Sequence, residues 1–219
     1  MPPESPPLPE FVSWSEFPFE GEFRVRPLDG VAEEPPREGD DPEKCPSCGA
    51  PDDQYLWVSD RWRVKASAEP TGLPAVVVLE SRSHLDLGDL PNLLAAELGV
   101  MTVRLERAIR SLPGVARVHV NRWGDELAHL HLWFFARPIG RLQLRGSFLT
   151  LWKDILPPIS EDERRNNLGL IAAWLADFGG RAVVDPPRFE WQPLEALGTP
   201  EALGKDASAE DDASPGKLP

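Results

Sequence analysis

The sequence predicts an α+β domain built on an antiparallel sheet. Three observations predict this class: short apolar segments joined by turn residues, two longer segments with apolar side chains at helical spacing, and no visible internal repeat. The chain has 219 residues, which suits one large domain or one domain with terminal extensions.

Five segments have the composition of strands. Two of them flank a short turn and predict a hairpin, and a third is apolar at every position, which is typical of a buried strand. The last two are separated by the turn residues Gly124 and Asp125. In chain order the predicted strands are Leu56–Val58, Trp62–Lys65, Ala75–Leu79, Arg117–Trp123 and Leu127–Ala136.

Two segments have the apolar spacing of amphipathic helices. From Leu90 to Leu112 apolar residues recur at steps of three and four, with Asp89 as a candidate N-cap and Pro113 just beyond the end. The segment Glu161–Phe178 has the same spacing and is followed by two glycines, which favour a helix end.

Charge and proline divide the chain into three parts. Residues 1–53 hold fourteen acidic and four basic residues, a net of −10, and many of the 25 prolines. We predict an acidic, proline-rich arm over residues 1–44, a folded domain over 45–190 and a disordered tail over 191–219. The aromatic residues of Phe11–Arg26 suggest an arm packed on the domain; the alternative is an exposed stretch that binds a partner.

The composition also excludes several classes of partner. A formal net charge of −13 argues against DNA or RNA binding, which requires a basic surface. No apolar run approaches the length of a membrane span, and the N-terminus does not resemble a signal peptide, so we expect a cytoplasmic protein. Two cysteines in one C-x-x-C indicate a metal or redox role in a reducing compartment.

Three of the four histidines lie near the predicted turn at Gly124–Asp125. Strand periodicity places His129 and His131 on the face away from the apolar side chains of Leu127–Ala136. A tight hairpin there would set His119 opposite His131 and Asn121 opposite His129, with all four side chains on one face. A hydrogen-bonded histidine cluster that only stabilises the sheet is the alternative interpretation.

This segment resembles the signature hairpin of the histidine triad superfamily, H-φ-H-φ-H-φ-φ with φ apolar, which includes galactose-1-phosphate uridylyltransferase and nucleotide phosphoramidases. The matching residues are Val118–Asn121 and Ala128–Phe134; Ser81–His84 and Cys45–Cys48 resemble two further family features. The resemblance covers roughly residues 45–137 and implies a five-stranded antiparallel sheet with two helices. The family's first triad histidine corresponds to Leu127, so the triad is broken.

The resemblance implies a catalytic site. It makes His129 the nucleophile, forming a covalent nucleotidyl-histidine, and His131 a phosphate or leaving-group contact. Because Leu127 cannot take part, we expect His119 to replace the lost group in part. Asn121 is a candidate hydrogen-bond donor to a phosphate oxygen, and Arg137 a candidate source of positive charge for the phosphate. Trp133 would seal the pocket or stack on a base.

The resemblance also implies a structural zinc ion. Cys45, Cys48 and His84 are the expected ligands, and the fourth would be His119, an aspartate or water. Two free thiols without a metal are the alternative.

Two functions remain open at this point. One is a diverged nucleotidyl hydrolase or transferase acting on a small phosphate ester, anhydride or phosphoramidate. The other is a non-catalytic domain that binds a nucleotide, or a protein through its acidic arm. The expected partner is a small nucleotide or phosphate ester. The resemblance also implies a possible homodimer, because members of the family are commonly dimers.

Overall fold

The computed structural model describes residues 7–187 and confirms the α+β class; the predicted tail, residues 191–219, lies outside them. The strands are β1 (Trp57–Val58), β2 (Trp62–Ala66), β3 (Val76–Ser81), β4 (Val115–Asn121), β5 (His131–Pro138) and β6 (Arg181–Ala182). The α-helices are α1 (Pro46–Gly49), α2 (Asn92–Arg110), α3 (Leu149–Lys153) and α4 (Glu161–Ala176). Short 3-10 helices occupy Glu10–Ser13, Pro42–Lys44, Asp52–Gln54, Leu87–Asp89, Leu142–Leu144 and Gly146–Phe148.

The strands form one antiparallel sheet in the order β4-β5-β3-β2-β1-β6. The described residues therefore contain six strands rather than the five expected, because the short strand β6 adds to the edge beside β1. None of the described helices is long and apolar enough to cross a membrane.

The main core lies between the sheet and helices α2 and α4, both of which the apolar spacing predicted. Alternate residues of the central strands point into it, including Val77, Leu79 and Phe134, each fully buried. Burial of these side chains stabilises the sheet by about 1.5–3 kcal/mol each.

The opposite face of the sheet has a mixed character. A smaller apolar cluster covers part of it, formed by Leu73, Val76, Phe135, Leu144 and Leu149. Beside that cluster the same face carries His131, Glu80 and Lys65, as the strand register shows. This polar part of the face is where a site can form.

The predicted register of the β4–β5 hairpin is wrong. His119 pairs with Phe135, and Asn121 pairs with Trp133, so each lies four residues from its expected partner. His131 instead pairs with Glu80 of β3. Because the shift is an even number, the side chains keep the predicted face although their neighbours change.

The reason for the shift is that residues 127–130 do not join the sheet as strand β5. The amide of Ala128 donates to the carbonyl of Glu38 (2.9 Å), and the amide of Leu130 donates to the carbonyl of Leu85 (2.7 Å). Since distant segments take these hydrogen bonds, no tight hairpin forms at Gly124. His129 consequently sits just before the strand, which begins at His131.

The described part of the arm packs against the domain at two places. At the first, Phe11, Trp14 and Phe17 form edge-on or tilted contacts with Phe148, and the indole of Trp152 donates to the carbonyl of Glu16 (2.8 Å). At the second, Glu38 forms a parallel bridge with Leu127. Trp14 is still 54% exposed, so the arm also presents aromatic surface to solvent.

Gly180, at the start of the edge strand β6, provides a stability test. Its φ is +73°, and a Cβ there would lie 2.5 Å from the carbonyl oxygen of Val58 and 2.7 Å from the ring of Trp57. Gly114 has a similar φ of +77° with open space around it. We expect Gly114→Ala to cost roughly 1–2 kcal/mol of unfolding free energy and Gly180→Ala about 2–4 kcal/mol.

Urea unfolding of the two variants measures this difference. Equal losses would contradict the prediction, because they would mean that Trp57 and Val58 move aside at no cost.

Candidate metal centre and adjoining cavity

Four side chains from three parts of the chain converge on one point. The ligand atoms of Cys45, Cys48, His84 and His129 all lie within 4.8 Å of one another. The two cysteines sit at the start and within the single turn α1, which the amide of Gly49 closes by donating to the carbonyl of Cys45 (3.1 Å). His84 follows β3, and His129 precedes β5.

The distances within this cluster suit tetrahedral zinc. Nδ1 of His129 lies 3.5 Å from Sγ of Cys45 and 3.6 Å from Sγ of Cys48, and Nδ1 of His84 lies 3.3 Å from Sγ of Cys48. Ligands at about 2.3 Å for sulfur and about 2.0 Å for nitrogen, in a tetrahedron, are separated by about 3.5 Å. The donor set of two thiols and two imidazoles is compatible with zinc.

The pKa shifts of the cluster define the protonation states in which it could bind a cation. Burial and the neighbouring Cys45 sulfur raise the pKa of Cys48 to about 11, so a bound cation is needed to keep that thiolate at neutral pH. Burial lowers the pKa of His129, which keeps its imidazole neutral and its lone pair available.

The ring of His129 has both nitrogens engaged. Nε2 donates to the carbonyl of Ser81 (2.8 Å), while Nδ1 faces the two sulfurs. A hydrogen bond from the distal nitrogen to a backbone carbonyl is the usual support of a metal-bound histidine. His129 is therefore in the position of a ligand and has no nitrogen directed at a substrate, contrary to the expectation of a nucleophile.

The sequence leaves the fourth ligand open between His119, an aspartate and water, and the structure instead brings His129 to that position. His119 lies opposite Phe135 in the sheet and is outside the four-residue cluster found among residues 7–187. Burial and the nearby charge of Arg137 lower its pKa.

His131 has the geometry expected of a nucleophilic histidine. Its Nδ1 donates to the carbonyl of His129 at 2.7 Å, which fixes the tautomer and leaves the lone pair on Nε2. The side chain is 9% exposed and lies in the wall of a cavity of about 570 Å³.

This cavity combines aromatic and charged walls. Trp133 and Phe135 stack at an interplanar angle of 15°, and Trp123 meets Phe135 edge-on. The wall also contains the lysines Lys65 and Lys153. Its carboxylates are Glu38, Glu80, Asp125, Glu126 and Asp154.

The structure separates the predicted substrate-binding residues. Trp133 lines the cavity, and so does Leu127. Asn121 and Arg137 are absent from the cavity wall. The guanidinium of Arg137 donates to the carbonyls of Pro138 and Arg141, at 3.4 and 3.3 Å, so it holds the loop after β5.

Among the cavity residues that the sequence did not single out are the charged residues Lys65, Glu80 and Glu38. Lys65 and Glu80 are charged residues at the ends of predicted strands, a position usually explained by solvent exposure. The available signal was the acid at the end of the apolar run Ala75–Leu79. No local pattern marks Glu38, which reaches the site through its main chain.

No protein-family model matches this sequence, and neither does any curated protein. Among solved structures, the chain is similar to a zinc-bound histidine triad protein from Mycobacterium smegmatis, at 18% identity and a TM-score of 0.45, covering 62% of this chain and 96% of that one. A histidine triad protein from Marinobacter aquaeolei VT8 gives 20% identity and a TM-score of 0.45 over 56% and 88%. One from Bradyrhizobium japonicum gives 17% and 0.44 over 53% and 86%.

The roles of individual side chains rest on the geometry of this chain.

The four-residue cluster predicts a metal content. We expect about one zinc ion per purified chain, and His129→Ala and Cys48→Ser to lose most of it because each removes one of four ligands. His119→Ala is the control and should keep its zinc. Elemental analysis with a thermal melt of each variant tests this; less than a tenth of a zinc per wild-type chain would contradict it.

Asp86 predicts a pH dependence of stability. Burial would raise its pKa, but Arg37, the amide of Leu87 and Arg122 outweigh that effect and lower it to about 2. A folded pKa below the unfolded value of about 3.9 stabilises the protein above that value, and the contribution is lost as pH falls toward 2.

We therefore expect Asp86→Asn to be less stable than wild type at pH 6, with the difference shrinking between about pH 5 and pH 2. Chemical unfolding at each pH measures it, with the exposed Asp162→Asn as control. A difference that stays constant with pH would show that the carboxylate charge is not responsible.

Proposed function

We propose that this protein is a nucleotidyl hydrolase or transferase that forms a covalent intermediate on His131. The observation that supports this is the hydrogen bond from Nδ1 of His131 to the carbonyl of His129, which directs the lone pair of Nε2 away from the backbone. An imidazole held in this way is prepared to attack an electrophile. The nucleophile is thus His131 in place of His129.

The reaction we propose has two displacements at phosphorus. Nε2 of His131 attacks the phosphorus of a nucleotide, the N–P bond forms, and the bond to the leaving group breaks with its electron pair. The leaving group then takes a proton. In the second step water, or another acceptor, attacks the phosphorus and releases one proton, and the electron pair of the N–P bond returns to Nε2.

The cavity suits a small nucleotide substrate. Its volume of about 570 Å³ is in the range of small-ligand sites. The stacked pair Trp133 and Phe135 offers an apolar surface beside His131. The lysines of the wall supply positive charge for phosphate oxygens.

Cys45, Cys48, His84 and His129 would hold zinc in this function. With four protein ligands the ion would be structural, stabilising the fold around it rather than taking part in the reaction. The residue that these ligands position is His131, because its hydrogen-bond acceptor is the carbonyl of His129. Loss of the metal would therefore disturb the nucleophile indirectly.

A second candidate is a domain that binds a nucleotide or a protein without catalysis. Two observations favour it: carboxylates outnumber lysines in the cavity wall, and the arm exposes Trp14 and Phe11. A carboxylate-rich wall repels the phosphate that a nucleophile must approach.

Intact-mass measurement distinguishes the two candidates. Wild type is incubated with adenylyl and uridylyl donors, among them the phosphoramidates and nucleoside diphosphate esters, and the mass is recorded at alkaline pH. We expect a nucleotidyl adduct on wild type and none on His131→Ala, because that variant lacks the attacking nitrogen.

His119→Ala is the matched control and should form the adduct as wild type does, since His119 lies outside the cavity wall. Nucleotide binding without an adduct for any donor would favour the second candidate. An adduct that persists in His131→Ala would contradict the assignment of the nucleophile.

A further inference from the structure

A buried carboxylate lies directly beside the proposed nucleophile. Glu80 is 0% exposed and is paired in register with His131 across β3 and β5. Its Oε1 accepts from the hydroxyl of Ser47 (3.2 Å) and pairs with Nζ of Lys65, and its Oε2 accepts from the hydroxyl of Tyr55 (3.0 Å). A carboxylate buried this fully needs such partners, because an unpaired one would be very costly.

The buried group around Glu80 has an excess of positive charge. Arg63 lies with its guanidinium carbon 4.3 Å above the ring centre of Tyr55, and it is 2% exposed. With Lys65 and Glu80, the three charges sum to +1. Of these residues, Lys65 is the cation that reaches the cavity wall, where its side chain is 35% exposed.

The other cation of the wall is held differently. Lys153 lies at the end of the short helix α3 and pairs with its neighbour Asp154, which is 69% exposed. Lys65 lies within strand β2, on the same sheet face as His131. Its partner carboxylate, Glu80, is held in place by the hydrogen bonds from the hydroxyls of Ser47 and Tyr55. Since an ammonium offers three donors, the pair with Glu80 leaves others for a ligand.

We propose that Lys65 binds the phosphate oxygens of the nucleotide while His131 attacks, and that Glu80 is the positioning residue of Lys65. This inference rests on the proposed function for the identity of the ligand. In a cavity whose wall has more carboxylates than lysines, a fixed ammonium in the same wall and on the same sheet face as His131 decides where a phosphate can lie.

The same carboxylate connects the phosphate site to the metal centre. Ser47, which bonds Glu80, lies between the two cysteines of α1. Arg63 donates to the carbonyls of Ser47 (2.6 Å) and Ala50 (3.2 Å) and so holds the same turn. The ammonium, the buried carboxylate and the cysteine turn therefore form one hydrogen-bonded unit.

The test uses Lys65→Met, Lys65→Arg and the matched control Lys153→Met in the full chain. The probes are adenosine and uridine 5′-monophosphate, with binding followed by calorimetry and zinc content measured in parallel. We expect Lys65→Met to weaken nucleotide binding about 10- to 100-fold, the scale of a lost charge-assisted hydrogen bond, while zinc is retained. Lys65→Arg should restore most of the affinity, and Lys153→Met should change it only a few-fold.

Lys65→Met leaves Glu80 buried without its cation, so a second variant guards against misfolding. Lys65→Met combined with Glu80→Gln removes both charges and should fold, retain zinc and show the same loss of affinity. Glu80→Gln alone keeps the ammonium of Lys65 but removes the carboxylate that positions it. This variant should weaken nucleotide binding less than Lys65→Met does.

Unchanged affinity in Lys65→Met and in the double variant would overturn the inference, as would a wild type that binds neither nucleotide at millimolar concentration. If wild type and Lys65→Met form the adduct equally well, the proposed function would stand, but the role proposed for Lys65 would be contradicted. Nucleotide binding that requires Lys65, with no adduct from any donor, would support the inference and contradict the covalent mechanism.

Discussion

The position of His129 is the constraint on which the site depends. Its ring reaches the two sulfurs on one side and the carbonyl of Ser81 on the other, and its own carbonyl accepts from His131. One residue thus joins the cysteine turn, the end of β3 and the start of β5. Moving it would alter both the four-residue ligand cluster and the orientation of His131, the nucleophile we propose, because both depend on the same residue.

The sheet separates two kinds of environment. The face covered by helices is apolar and forms the main core. The other face carries Glu80, Lys65 and His131 next to a smaller apolar cluster. Charges on such a half-covered face must be paired within the protein, since water reaches them from one side only. The pairing restricts the side chains to few conformations, which is what a binding surface for a small anion requires.

Much of the fold follows from local patterns, and the site follows only in part. Apolar spacing was sufficient for helices α2 and α4, and the period of two assigned the faces of β5 correctly. The hairpin register failed because the amide of Ala128 bonds to Glu38, ninety residues earlier in the chain, which no local pattern encodes. The resemblance assigns the nucleophile to His129. His129 and His131 share strand parity, so only the sulfurs that converge on His129 distinguish it from His131, the nucleophile we propose.

The arm contains a stretch whose length can vary, because it connects two segments that pack against the domain. Residues between Phe23 and Arg37 form neither helix nor strand, and Leu28 and Val31 are almost completely exposed. Doubling the length of such a connection costs only about 0.6 kcal/mol of closure entropy. The short link from Glu38 to Cys45 has no such freedom, because it connects a residue of the cavity wall to a residue of the ligand cluster. Insertions and deletions in related chains should therefore accumulate between Phe23 and Arg37 and be absent from the seven positions that follow Glu38.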